Sequence, residues 1–126
     1  MAVSSPTFRP IITIPGTTSN VFNEIFALAS GSLTNIVTYT VPVGKDGVLE
    51  KVSVSGSNVA KYSIFVNATE IESAYSYFGG QLNVGFDFTS QASGYKLLAG
   101  DVVAVKVIHS RAMLGDFAGR IQVVEI

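Results

Sequence analysis

Leu82-Asn83-Val84-Gly85-Phe86-Asp87-Phe88 puts four apolar residues on one face of an extended chain and Asn, Gly and Asp on the other. That alternation has the period of a half-buried strand, whereas a helix face recurs every ~3.6 residues. Similar β-branched and aromatic runs begin at Asn35-Ile36-Val37-Thr38-Tyr39-Thr40-Val41 and continue to Ile126. Strands are predicted over Thr34 to Val41, Leu49 to Ser55, Lys61 to Asn67, Leu82 to Thr89, Tyr95 to Leu98, Val102 to His109 and Phe117 to Ile126. Turn residues separate them: Pro42 to Gly47, Gly56-Ser57-Asn58, a Tyr- and Gly-rich loop, and Ala99-Gly100-Asp101 before the Val103, Val105, Val107 face. Short strands at this spacing predict an all-β chain forming a single antiparallel β-sandwich, jelly-roll-like, of about eight strands.

The N-terminal part reads differently. Pro6, Pro10 and Pro15 fall at near-regular intervals, and the last two bracket Ile11-Ile12-Thr13-Ile14. Proline at that frequency blocks helix and interrupts sheet ladders, so residues 1 to 20 read as an extended arm and residues 21 to 126 as the sandwich. An apolar arm has to dock, either on its own sandwich or on a neighbouring subunit. This makes Ile11, Ile12 and Ile14 candidate contact residues. Phe22, Ile25, Phe26 and Ala29 have helical spacing, while Phe22, Phe26 and Leu28 also share one strand face with Glu24 as the exception; a strand ending at Ser30-Gly31-Ser32 is preferred. Val102 to Ile108 is apolar on both faces apart from Ala104 and Lys106. Such a strand is either central in its sheet or lies at a subunit contact, which adds Val102 and Ile108 to the candidates.

Composition excludes several functions. A chain of 126 residues is one domain with a core of its own. No cysteine is present, so disulfides and thiolate metal sites are ruled out. Eight basic and nine acidic residues are scattered without a run of one sign, which argues against nucleic-acid binding. No apolar stretch approaches the ~18 residues of a bilayer span, and Met1-Ala2-Val3-Ser4-Ser5-Pro6 lacks the features of a secretory signal, so a soluble product without membrane contact is expected. Charged residues make up only 13% of the chain and hydrophobic ones 48%, although a small domain has proportionally more surface to keep polar. Part of that apolar surface is therefore expected to be covered by copies of the chain or by a partner.

Several segments carry a resemblance in their order and spacing: Tyr39-Thr40-Val41-Pro42-Val43-Gly44-Lys45, Val52-Ser53-Val54-Ser55-Gly56, Tyr77-Phe78-Gly79-Gly80-Gln81-Leu82-Asn83, Leu98-Ala99-Gly100-Asp101-Val102-Val103, Lys106-Val107-Ile108-His109 and Asp116-Phe117. Spanning residues 34 to 121, this pattern resembles small β-sandwich structural proteins of tailed bacteriophages and prophages. The resemblance implies a non-enzymatic virion component made in the host cytoplasm: a head-decoration (cement) protein, or a module of the tail, baseplate or fibre. It further implies a homo-oligomer, with a trimer favoured, that contacts other virion proteins such as the major capsid or tail protein. The proline-rich arm lies outside the matching pattern.

Few residues could do chemistry. His109 is the only histidine, so multi-His metal sites are excluded, and Ser110 adjoins it on the opposite face of a strand. A structural histidine at a strand end is expected. Glu70 and Glu72 lie near the carboxylate spacing of a retaining glycosidase by strand geometry alone, without a companion signal. Asp46, Asp87, Asp101 and Asp116 sit in or near turns and read as turn formers, since no calcium-loop pattern is present. Asn67-Ala68-Thr69 matches a glycosylation triplet that arises often by chance. Neither a catalytic site nor a cofactor is expected. The most functional-looking stretch is Tyr75-Ser76-Tyr77-Phe78-Gly79-Gly80, three aromatic rings beside two glycines. Tyr75, Tyr77 and Phe78 are expected in core or subunit packing, in contact with another virion protein, or, on the alternative reading, in binding a glycan or receptor.

Overall fold

The computed structural model of the chain describes residues 16–76, 83–88 and 94–126. Within them are nine strands: β1 Thr17–Leu28, β2 Thr34–Thr40, β3 Gly47–Gly56, β4 Lys61–Val66, β5 Thr69–Tyr75, β6 Val84–Asp87, β7 Tyr95–Leu97, β8 Val102–Ile108 and β9 Gly115–Glu125. Every pairing is antiparallel and the pairs are nested. β4 pairs with β5, β3 with β6 and β7, β2 with β8, and β1 with β9. The chain is thus one long hairpin whose tip is the β4–β5 turn. Winding that hairpin on itself adds the β3–β9 and β4–β8 pairs and yields two sheets, β1-β9-β3-β6 with β7 also on β3, and β2-β8-β4-β5. This is the strand order of a jelly roll, and it bears out the expected β-sandwich.

The two sheets bury their facing side chains against each other. Leu49, Val52, Ile64, Val103, Val105, Val107, Ile121 and Val123 are almost wholly shielded from water. Each such residue contributes roughly 1.5–3 kcal/mol relative to an exposed position. Tyr62 and Phe117 meet edge to face at 6.2 Å near one end of the core. A Cβ at Gly56 would lie 2.4 Å from the Phe117 ring, so only glycine leaves room for it there. Gly100, at φ +87°, makes the tight turn that returns the chain into β8, with the Asp101 N–H donating to the Leu98 carbonyl at 3.0 Å.

β8 lies inside its sheet between β2 and β4, which accounts for its two-sided apolarity. Val103, Val105 and Val107 face the core, while Ala104 on the outer side is also buried and the Lys106 ammonium lies 4.4 Å from the Phe65 ring centroid. Three expectations are corrected. β1 is a strand, but its inward residues are Val21, Ile25 and Leu28, whereas Phe22 and Phe26 point outward and are exposed. A bulge at Ala27, φ +55°, turns Leu28 back to the core side. β1 also begins at Thr17, within the stretch assigned to the arm, and Thr69–Tyr75 is a strand where a loop was expected to begin.

Candidate interaction surface

The strand registers define two poles. At one, Thr17 and Gly47 both lie opposite Glu125; at the other, Leu28 faces Gly115 and Lys61 faces both Tyr75 and Ile108. Side chains tie the sheets together at each pole. At the first, the Tyr39 hydroxyl of β2 donates to Glu125 Oε2 of β9, which also accepts from Ser19 Oγ at 3.2 Å. Burial, followed by the adjoining Glu125 carboxylate, pushes the Tyr39 hydroxyl up to about 12. At the second, the Gly31 N–H donates to the His109 carbonyl at 3.0 Å, and His109 Nε2 lies 2.8 Å from the Leu28 carbonyl.

His109 is a structural residue, as its sequence position suggests. Its ring is buried and lies 5.5 Å from that of Phe117. With its proton on Nε2, the imidazole donates to Leu28 and accepts the Arg111 N–H on Nδ1 at 3.3 Å. Of the four aspartates read as turn formers, Asp101 makes a turn, whereas Asp87 ends β6 and Asp116 lies in β9, where it bonds across to β1. Asp101 accepts from the Leu98 N–H at 2.9 Å and from Asn67 Nδ2 at 3.1 Å, and these bonds, the backbone one first, hold its carboxyl below the usual range. Asp116 accepts from the Ala27 N–H at 3.0 Å. Asn67, the residue of the glycosylation triplet, also accepts the Val102 N–H on Oδ1 at 3.0 Å, so both its amide atoms are engaged. A bulge opposite Ile64 and Phe65 breaks the register between Glu70 and Glu72, which both stand exposed on an edge strand. Among the described residues, no three acidic or histidine side chains are grouped to hold a metal ion, and no helix is long and apolar enough to cross a membrane.

What the second pole presents is apolar surface on pinned loops. Phe26 is 68% exposed, Leu33 47%, Met113 65%, Leu114 60% and Tyr75 68%, values that belong to solvent-facing polar residues in an isolated domain. Beside Tyr75 is a slot of about 350 Å³ lined by Val59, Ala60, Lys61, Ile108, His109 and Ser110. Its walls are fixed by hydrogen bonds. The Ser76 N–H donates to the Ala60 carbonyl and Ser76 Oγ accepts the Ala60 N–H, both at 2.9 Å; outside the slot, Asn58 Nδ2 donates to the Met113 carbonyl at 3.1 Å. A preformed slot loses little entropy on receiving a partner.

Of the residues singled out in the sequence, Tyr75 and Ile108 come together in this slot. Val102 is half-buried at the opposite end of β8, about 20 Å away along an extended strand. Ile11, Ile12, Ile14, Tyr77 and Phe78 lie outside the described residues. Sequence reasoning did not single out Phe26, Leu33, Met113 and Leu114 as contact residues: Phe26 reads there as part of a helix or strand face, and the other three lie in or beside turns where no periodicity marks them. Comparison with protein-family models, with curated proteins and with solved structures finds no match to this chain.

Proposed function

We propose that this chain is a non-enzymatic structural protein of a tailed-bacteriophage virion, a self-associating jelly roll that decorates or cements the capsid or forms part of the tail. The observation that supports assembly is the pole that exposes Phe26, Leu33, Tyr75, Met113 and Leu114, with a preformed slot beside Tyr75. Exposed apolar groups on ordered loops are a standing solvation cost, which a second copy or a neighbouring virion protein removes. The virion setting and the trimer come from the sequence resemblance. Tyr75 lies beside Ile108, Ala60 and Val59, with the Lys61 ammonium 5.9 Å from its ring centroid.

Light scattering on the purified chain at two concentrations tests this reading. A mass near three times 13.3 kDa is expected at both, falling towards the monomer in Leu114→Ser combined with Met113→Ser while the β-sheet circular dichroism is kept. A monomer at both concentrations, or an oligomer indifferent to the double substitution, would sink the assignment of this pole to self-association.

A further inference from the structure

The outer face of the β1-β9-β3-β6 sheet carries a separate feature. Gly85, Ser53, Arg120 and Phe22 stand in register across β6, β3, β9 and β1, forming one row on the solvent side. The next row towards the apolar pole holds Ser55, Ala118 and Glu24; the next the other way holds Asp87, Lys51, Gln122 and Asn20. The middle of this grid has almost no side-chain bulk. Among the described residues, Gly85 has open space where a Cβ would be, and Ser53, Ser55 and Ala118 rise little above the backbone. A trough of about 420 Å³ results, and a second hollow of about 370 Å³ adjoins it, sharing Ser53, Gly85 and Arg120 and reaching Asp87 and Gln122. These volumes fall in the ~300–1,000 Å³ range of small-ligand sites.

The groups around the trough select among ligands. Phe22 forms one wall, 52% exposed, with the Arg120 guanidinium 5.6 Å from its ring centroid. Gln122 Nε2 donates to Glu50 at 2.8 Å, which leaves its amide oxygen directed by a fixed plane. Lys51 and Arg120 are offset by Asp87 and Glu24, so the patch has no excess of positive charge to attract a phosphate or an acidic chain. What remains is an exposed aromatic ring, with a guanidinium over one of its faces, beside hydroxyl, amide and carboxylate groups at the margin of a shallow trough. This is the complement of a neutral pyranose, which has an apolar C–H face and a rim of hydroxyls that both donate and accept.

We infer that the trough between Phe22 and Gly85 is a binding site for a neutral saccharide, with Phe22 stacking on the sugar and Arg120, Gln122 and Asp87 bonding its hydroxyls. It is distinct from the apolar pole and does not depend on self-association. The test is titration of the ¹⁵N-labelled full chain with maltohexaose, cellohexaose and chitohexaose, read by amide chemical shifts. Saturable shifts are expected for at least one sugar, centred on Phe22, Ser53, Gly85, Ala118 and Arg120. Phe22→Ala should weaken binding about tenfold or more, as loss of one stacked ring would, and Ser53→Leu should abolish it by filling the trough from the solvent side. Tyr75→Ala should leave it unchanged. No saturable shift with any of the three sugars, shifts centred on the apolar pole, or shifts produced by inorganic phosphate instead would overturn the inference.

Discussion

The hydroxyl of Tyr62 is fully buried against Gly56, and among the described residues it has no hydrogen-bond partner. Burial pushes it up to about 12; the Ser76 hydroxyl pulls the other way but is engaged by the Ala60 backbone at 2.9 and 3.4 Å. An unpaired buried hydroxyl costs free energy that its ring does not, so Tyr62→Phe is expected to keep or raise stability by up to about 1 kcal/mol. Urea unfolding reads this directly, and a loss exceeding that amount would mean the hydroxyl has a partner after all. At Asn67, with φ +56°, the side chain bonds Asp101 and the Val102 N–H. Both Asn67→Ala and Asn67→Gly lose these bonds, but only alanine adds a left-handed backbone penalty of about 1 kcal/mol. Alanine should therefore be the less stable of the two by that margin, and equal midpoints would refute the argument.

At the scale of elements, what could be read in advance follows from how strictly a strand alternates. Val84–Asp87 keeps a two-residue period and Val102–Ile108 is a β-branched run too short for a helix, so both are legible. Thr69–Tyr75 was not, because it is an edge strand with a bulge in its pairing and only Ile71 and Ala74 turned to the core. In β1 the four-residue spacing of Phe22 and Phe26 imitates a helix. Two outward phenylalanines on one strand face produce the same spacing, and the true core residues, Val21 and Ile25, repeat it one position earlier. Nothing in the sequence showed which of the two stripes would face inward, since burial is decided by pairing with β9.

At the scale of the molecule, the apolar pole was illegible for a related reason. Phe26, Leu33, Tyr75 and Leu114 come from distant parts of the chain and reach one end of the sandwich only through the nested pairing. The same closure sets the alkaline limit of the fold. Tyr39 and Tyr62 are both raised from 10 to about 12, so the folded chain retains protons that the unfolded chain gives up. Their contribution is complete below pH 10 and is lost as pH rises from 10 towards 12. Urea midpoints should fall across that window, less steeply in Tyr62→Phe; a flat profile would contradict the shifts. Finally, β9 lies between β1 and β3, so the larger sheet has no interior until residues 115–125 arrive. While the ribosome still holds that segment, β1 and β3 present bare edges and half of the sandwich has nothing to close on. The growing chain must therefore wait, open and liable to stick to other nascent chains, and folding falls to the interval after β9 has left the exit tunnel.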